Sequence, residues 1–273
     1  MNINQKKDII NLTVIIPTKN SESSLVMTLE SVKHCKDVLV VDSNSTDDTK
    51  KIVDNYKRRY INFQWNNKYP KKRAWVLANI DIATDWILML DSDEIVNKNF
   101  LEEFNEKVIN SKHNAFWVEY HNYFLNKLLK YGIKQKKLSL MKKGMATYED
   151  FGESGWTKYD MEIHEHLVVN GSKGKMFYKL NHLQNESYEK MLNKHYEYAQ
   201  WESNRYKSFN KNKSTTFREK IKYKLINKVF FPHVYFLFQF IIFLGFLDGL
   251  AGYRYAIIKF SYFKRIYELL KHQ

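Results

Sequence analysis

Short apolar runs alternate with amphipathic segments between residues 12 and 110, and this alternation leaves few folds open to the chain. The runs 12–16, 38–41 and 86–90 are too short for buried helices, so we predict that they are buried strands. Residues 61–65 alternate like a more exposed strand, and the segments between the runs place apolar residues at helical spacing. This repeated pattern predicts an α/β fold, a Rossmann-like and mostly parallel sheet with helices on both faces.

Polar clusters follow three of the predicted strands. They are Thr18, Lys19 and Asn20 after the first strand, Asp42 and Ser43 after the second, and Asp91, Ser92 and Asp93 after the fourth. Right-handed crossovers bring the loops that follow parallel strands to one edge of the sheet, where open α/β sheets bind ligands. We therefore predict that the three clusters form one ligand site.

The pair Asp91 and Asp93 is the most specific feature of that edge. Two carboxylates with one small residue between them can face a single point, where a cation or a proton must relieve their repulsion. Their hard oxygens suit Mg²⁺ or Mn²⁺, which are often shared with substrate phosphates. A lone Asp-x-Asp is more often a polar loop that caps the next helix, but the convergence of three clusters favours a site.

Phosphate binding in this region cannot depend on a glycine-rich loop, because the first glycine of the chain is Gly132. A phosphate-bearing ligand would need a metal and side-chain cations instead. Lys71, Lys72 and Arg73 could supply the cations. The alternative is a solvated helix start, although basic residues there oppose the helix dipole.

The basic character belongs to the C-terminal quarter of the chain. The net charge is +14, yet residues 1–204 hold 30 Lys and Arg against 27 Asp and Glu, whereas residues 205–228 hold nine against one. An apolar, aromatic run follows at 229–247. A basic segment before such a run fits a helix in the cytoplasmic leaflet, since each Lys or Arg near anionic lipid contributes on the order of 1 kcal/mol. A buried helix of the same domain is the alternative.

Two further observations bear on location and partners. The single cysteine, Cys35, excludes an internal disulfide and fits a reducing compartment, and residues 1–8 lack the apolar stretch of a cleaved signal. Nucleic-acid-binding tails lack a long apolar run, so we expect no nucleic acid as partner. We expect a cytoplasmic protein, peripheral on the inner face of the cytoplasmic membrane.

Residues 113–204 are rich in turns and ionisable groups. Five ionisable residues lie between Asp160 and His166, which predicts an active-site rim. We divide the chain into a ligand-binding half at 1–112, a second half of the same domain at 113–204, and a membrane-associating helical tail at 205–273.

Three ordered motifs in this chain resemble family 2 glycosyltransferases, which have the GT-A fold. They are residues 12–20 (LTVIIPTKN), 38–47 (VLVVDSNSTD) and 86–94 (WILMLDSDE). His164, Glu165, His182 and residues 245–252 are similar to a narrower group, the lipopolysaccharide core glucosyltransferases. The glycine that the family usually has before its basic residue near the diphosphate is missing here, and Ala74 replaces a frequent asparagine.

The resemblance implies roles for the matching positions. The sugar nucleotide would be bound by Pro17, Thr18, Lys19, Asn20, Asp42, Lys72, Arg73, Asp91 and Ser92. Mn²⁺ or Mg²⁺ would be held by Asp91, Asp93 and His182. The alternative for His182 is a structural role, as a hydrogen-bonded histidine at a strand end. Glu165 would be the catalytic base, with Asp160 and Glu162 as alternatives.

The activity implied is inverting, metal-dependent transfer of a hexose, in particular glucose from UDP-glucose, to a lipid-linked cell-surface saccharide such as lipopolysaccharide core. A capsular or other surface polysaccharide is the alternative acceptor. Two other classes compete from the residues alone. One is a nucleotidyltransferase or phosphatase built on the same Asp pair, and the other is a basic, non-enzymatic protein that binds membranes or nucleic acid.

Overall fold

The strand–helix repeats of residues 12–110 are present in the computed structural model, which describes residues 9–66, 69–149, 166–184, 186–209 and 217–271. These residues form two compact units. The first unit contains 9–66, 69–121, 135–149 and 166–183, and the second contains 122–134, 184, 186–209 and 217–271. The functional division at residues 112 and 204 stays a prediction.

The first half of unit 1 alternates strands and helices as predicted. The strands are β1 (Ile10–Thr18), β2 (Cys35–Asp42), β3 (Arg59–Asn62) and β4 (Trp86–Met89). The helices are α1 (Glu22–Ser31), α2 (Thr49–Asn55) and α3 (Lys72–Asn79). The four strands lie in the order β3-β2-β1-β4 and all pair in parallel.

Later segments add eight strands; six of them extend this sheet, mostly in antiparallel pairs, although the strand at 173–175 pairs in parallel with the strand at 115–124. The eight strands are β5 (Glu94–Ile95), β6 (Ala115–Phe124), β7 (Lys127–Leu128) and β8 (Lys136–Lys142), followed by β9 (Ala146–Tyr148), β10 (Leu167–Val169), β11 (Lys173–Lys175) and β12 (Leu180–Gln184). The path of the large sheet is β3-β2-β1-β4-β8-β6-β12-β5, while β9 and β10 form a separate hairpin-like pair. The fold is therefore α/β as predicted, with a parallel half that leads into an antiparallel half.

The parallel half is covered on both faces, which explains its continuous apolar runs. Side chains along a strand point alternately to opposite faces. Val14 and Ile16 accordingly belong to the core cluster that contains Leu25 of α1, whereas Ile15 belongs to the cluster that contains Val76 of α3. Helix α4 (Lys98–Glu103) and the π-helical turn Phe104–Val108 pack on the first of these clusters.

Unit 2 is mainly helical in its described part. Its helices are α5 (Tyr188–Phe209), α6 (Phe217–Ile226), α7 (Phe231–Leu237) and α8 (Gly249–Lys271), with a π-helical turn at Phe238–Ile242 and a 3₁₀ turn at Gly245–Asp248. The described chain contains no single helix that is long and apolar enough to cross a membrane. Residues Phe231–Ile242 and Gly245–Lys271 meet that length and composition only as a pair, bent by 69°.

Candidate active site

The carboxylate of Asp42 organises the loops after β1 and β2. It is fully buried, and its two oxygens accept hydrogen bonds from Thr18 Oγ1 (2.7 Å), from the Ser45 amide (2.7 Å) and hydroxyl (2.5 Å), and from the Tyr60 hydroxyl (3.1 Å). All the usual acceptor positions are therefore used inside the protein. A ligand would have to replace one of these donors, so direct contact between Asp42 and a nucleotide stays a prediction.

The residues after β1 present their polar groups at the sheet edge. Pro17 is buried and pairs with Val41 of the next strand, so its contribution is to the shape of the edge. Lys19 and Asn20 are exposed, and Asn20 has the left-handed backbone conformation, with φ of 49°. The Asn20 side chain accepts a hydrogen bond from the Thr46 amide at 2.9 Å, which joins the first loop to the second.

Lys72 is buried at the start of α3, although the sequence favours an exposed lysine there. Its ammonium donates to the Thr18 carbonyl and to Ser43 Oγ, each at 2.9 Å. One cation thus connects the ends of two strands with the helix that follows the third. Lys72 adds positive charge beneath the edge where the nucleotide is predicted to bind.

Asp91 lies between two cations. Arg73 of α3 contacts Oδ1 at 2.5 Å, and Lys137 of β8 contacts Oδ2. Burial by itself would raise the pKa of Asp91, but Lys137 and Arg73 outweigh burial and lower that pKa. Asp91 is therefore a carboxylate at neutral pH. Arg73 lies beside the Asp pair, and its contact with a diphosphate stays a prediction.

Asp93 pairs with His182, which the sequence placed 89 residues away. The antiparallel pairing of β12 with β5 sets His182 opposite Glu94, and Nε2 of the histidine lies 3.4 Å from Oδ2 of Asp93. Burial opposes charge on both groups, yet their attraction lowers the pKa of Asp93 and raises that of His182. The arrangement brings together two of the predicted metal ligands.

Glu94 completes a buried acidic group beneath the Asp pair. One oxygen accepts a hydrogen bond from the Asp91 amide at 3.1 Å, and the other lies 2.8 Å from the Lys137 ammonium. Burial raises the pKa of Glu94, although Lys137 counteracts the shift. Ser92 joins this turn to the first loop, since its hydroxyl donates to Ser21 Oγ at 3.0 Å.

Lys137 is the functional-site residue that sequence reasoning missed. Burial by itself would lower its pKa, but the carboxylates of Asp91 and Glu94 raise it well above the ordinary value. Its ammonium also lies 5.3 Å from the centre of the Tyr120 ring. The available signal was a lysine at the start of residues 137–141, where apolar and polar residues alternate, but nothing in the sequence indicated that this stretch lies beside β4.

The donor set of the site fits Mn²⁺ or Mg²⁺ by its chemistry, since Asp91 and Asp93 offer hard carboxylate oxygens. The cations that contact these carboxylates also show that the site requires positive charge. Within residues 9–66, 69–149, 166–184, 186–209 and 217–271, however, no group of three His, Cys, Asp or Glu side chains is arranged to hold a metal ion. A ligand role for Asp91, Asp93 and His182 stays a prediction.

The predicted catalytic base lies outside the described residues. This applies to Glu165 and to its alternatives Asp160 and Glu162, and also to His164. The other predicted site residues, from Pro17 to His182, are all placed in unit 1. Hydrogen bonds and ion pairs link the three loops after β1, β2 and β4, so their predicted convergence at one edge is confirmed.

The fold and this edge have the form of a ligand site at the ends of parallel strands. A family model described as Glycosyl transferase family 2 matches residues 13–165. The chain therefore belongs to glycosyl transferase family 2, and it is a glycosyltransferase with an α/β fold of the GT-A kind.

Similar proteins agree with this family. An uncharacterized glycosyltransferase of Rickettsia typhi is 29% identical over 271 residues, which cover 94% of this chain and 87% of the relative. A lipopolysaccharide core biosynthesis glycosyltransferase of Rhizobium meliloti is 24% identical over 60% of this chain and 59% of its own length.

Two solved structures are also similar. TarS 1–349 of S. aureus, in complex with UDP-GlcNAc, is 16% identical with a TM-score of 0.43 and covers 96% of this chain and 92% of that one. Glucosyl-3-phosphoglycerate synthase of Mycobacterium tuberculosis, in complex with Mn²⁺, UDP and phosphoglyceric acid, is 21% identical with a TM-score of 0.33. The match covers 41% of this chain and 43% of that one.

Proposed function

We propose that this glycosyltransferase moves a hexose, glucose from UDP-glucose, to a lipid-linked surface saccharide with inversion at the anomeric carbon. The observation that carries the proposal is the partly buried group formed by Asp91, Asp93 and His182 together with Arg73. These residues meet beside the loops that would hold the nucleotide. A diphosphate is the part of the donor that needs such charge.

In the proposed reaction an acceptor hydroxyl oxygen attacks the anomeric carbon while the bond from that carbon to the diphosphate breaks. The hydroxyl proton passes to a carboxylate base, for which Glu165 is the candidate. Bound Mn²⁺ or Mg²⁺, held by Asp91, Asp93 and His182, would neutralise charge on the leaving diphosphate. Arg73 would add a second positive charge to the same region, and Lys72 would keep the nucleotide loops in place.

The acceptor proposal draws on a relative. The Rhizobium meliloti protein is named for lipopolysaccharide core biosynthesis, and a lipid-linked acceptor agrees with a chain that has an apolar C-terminal segment. A capsular polysaccharide would fit that segment equally well. We further propose that the protein acts at the inner face of the cytoplasmic membrane through residues 205–273.

A screen of sugar nucleotides tests the donor. The purified chain is incubated with each UDP- or GDP-sugar, and nucleotide release is measured with Mn²⁺, with Mg²⁺ and with EDTA. We expect UDP-glucose with a divalent metal to give the highest release. Equal release in EDTA would contradict the metal assignment, and preference for a GDP-sugar would contradict the donor assignment.

The base is tested separately by Glu165→Gln. Because a base acts on the acceptor, this variant should bind UDP with unchanged affinity in calorimetry and lose transfer by about 10²–10⁴-fold. Asp160→Gln and Glu162→Gln serve as matched controls in the same segment. Full transfer by Glu165→Gln, with loss in one of the others, would assign the base to that residue.

A further inference from the structure

Large apolar side chains are concentrated on the surface of unit 2 between residues 229 and 253. Thirteen of the 25 large hydrophobic residues exposed in the described part of the chain lie in this short stretch. Leu250 is 62% exposed, Val229 59% and Ile242 56%. Single exposed apolar residues are ordinary, but such a concentration marks an interaction surface. We call residues 229–253 the apolar ridge.

Two polar side chains of the ridge, Gln239 and Asp248, lie on its inner side, whereas His233 is exposed. Gln239 is 4% exposed, and its Oε1 accepts a hydrogen bond from the Ile133 amide at 2.9 Å. Asp248 is 2% exposed, and its two oxygens accept from the amides of Lys130 and Tyr131 at 3.1 and 3.0 Å. Polar groups are thus satisfied inside unit 2 while apolar groups face out, which is the reverse of a water-facing helix.

The backbone of the ridge is bent in a way that exposes its middle. Leu244 adopts the left-handed conformation, with φ of 58°, between the π-helical turn and the 3₁₀ turn. A Cβ at Gly245 would lie 2.5 Å from the Gln239 carbonyl oxygen, so a larger residue would prevent this bend. The bend leaves Ile242, Phe243 and Leu247 exposed at its outer side. Such a bent segment does not have the form of a straight span.

Positive charge borders the apolar ridge. Lys224 and Lys228 are exposed at the residues just before it, within the stretch 205–228 that holds nine basic residues and one acid. Arg205 belongs to that stretch but is not available to an anionic surface, because it is 4% exposed and lies over the Trp201 ring. Within the ridge the only acidic side chain is the buried Asp248. The charge therefore complements an anionic surface.

We infer that the apolar ridge inserts into one leaflet of an anionic lipid bilayer, with Lys224 and Lys228 at the headgroups, and does not cross the bilayer. Apolar side chains gain free energy on entering the acyl region, and neighbouring cations gain from anionic headgroups. This inference deepens the membrane association proposed above and rests on it, but it is independent of the transfer reaction. A second copy of the chain is the competing occupant.

Vesicle flotation of the full chain tests insertion. The probes are phosphatidylcholine vesicles with and without phosphatidylglycerol, and the variant carries Ile242→Glu, Leu247→Glu and Leu250→Glu. These side chains are exposed, so the variant should fold, and we expect its partitioning to fall about a hundredfold or more. The matched control carries Met145→Glu, Val168→Glu and Phe177→Glu, three exposed apolar positions of unit 1, and should float like the wild type.

The depth to which the apolar ridge enters the bilayer is tested with Phe243→Trp. Bromine atoms high in the acyl chains should quench the added fluorescence more than bromines near the chain ends, because an interfacial helix enters only about 5–10 Å. Val168→Trp in unit 1 is the control and should show no quenching. Equal quenching at both depths would contradict insertion into one leaflet.

Other outcomes would overturn the inference in distinguishable ways. If the triple ridge variant floats like the wild type while Lys224→Gln with Lys228→Gln abolishes flotation, the association is electrostatic and the ridge does not insert. If the wild type does not float and instead forms a dimer that the ridge variant disrupts, the ridge binds a second copy. UDP release, assayed without vesicles, reports separately on the proposed reaction.

Discussion

The sheet edge of unit 1 and the apolar ridge of unit 2 place polar groups in opposite ways. At the sheet edge, apolar strands are buried between helices and the polar residues gather where the strands end. In the ridge, Gln239 and Asp248 are buried and Leu250 and Ile242 are exposed. We propose that the difference reflects two kinds of surroundings, a water-soluble ligand for the first region and lipid for the second.

We expect the carboxylates of the two regions to have different roles. Asp93 at the sheet edge should matter for the reaction and little for folding, because its carboxylate is partly exposed. The carboxylate of the ridge should matter for folding and little for the chemical step, because its hydrogen bonds are internal. Substitutions in either region can contradict this expectation.

The largest expected effect is that of Asp93→Asn on UDP release. The substitution removes one negative charge from the site. It should lower the rate of UDP release by about 10³-fold, the size of effect seen when one group that stabilises transition-state charge is removed. The unfolding free energy should change by less than about 1 kcal/mol, since Asp93 and His182 form one partly exposed pair. Asp81→Asn is the control, because Asp81 is 95% exposed and precedes β4, whereas the motif follows it. Full activity of Asp93→Asn would contradict the site.

The next effect is that of Asp248→Ala on stability. The substitution removes a buried carboxylate that accepts from the amides of Lys130 and Tyr131, so we expect a loss of about 2–4 kcal/mol in urea unfolding. Asp54→Ala is the matched control: its partner Lys50 is exposed and the pair should contribute about 0.5 kcal/mol or less. If both variants unfold at the same urea concentration, Asp248 does not hold the inner side of the ridge.

A smaller effect is expected for the pH dependence of unit 2. Nδ1 of His195 lies 2.9 Å from the Met191 carbonyl and Nε2 lies 3.0 Å from the Lys259 ammonium, so the ring is neutral with its proton on Nδ1. Burial and the Lys259 ammonium lower the pKa of His195 to about 3. The unfolded chain, with a histidine pKa of about 6.5, therefore binds a proton that the native chain does not.

Stability should consequently fall as the pH falls from about 6.5 towards 3. Between pH 7 and pH 5 the wild type should lose about 2 kcal/mol more than His195→Gln, measured by urea unfolding at both pH values. His121→Gln is a control, since that histidine is exposed in unit 1. Equal pH dependence of wild type and His195→Gln would show that this buried pair carries no such cost.

Much of unit 1 could be predicted from local pattern. The apolar runs at 38–41 and 86–90 are strands because they are buried on both faces, and the polar residues that follow them had to meet once the strands were parallel. Helix α5 (Tyr188–Phe209) also follows a local pattern, since Met191, His195 and Tyr198 recur at helical spacing. These features depend on neighbours in the sequence, so the sequence alone contains the signal.

The residues that contact Asp91 and Asp93 were harder to predict from the sequence. His182 was proposed only from a resemblance, and its approach to Asp93 depends on the pairing of β12 with β5. Lys137 reaches Asp91 because β8 lies beside β4 in antiparallel register, with Leu140 opposite Leu88. Pairing between distant strands is decided by the packing of the whole sheet, and one sequence gives no direct evidence of it.

The sequence by itself determined the α/β class, the three polar clusters and the basic, apolar tail, because each depends on residues close together in the chain. Only the tertiary structure decided that Asp42 is occupied by internal donors, that Lys137 and Arg73 share Asp91, and that Gln239 and Asp248 turn inward while the ridge faces out. Those outcomes follow from long-range packing, which decides whether a polar side chain finds its partner in the protein or outside it.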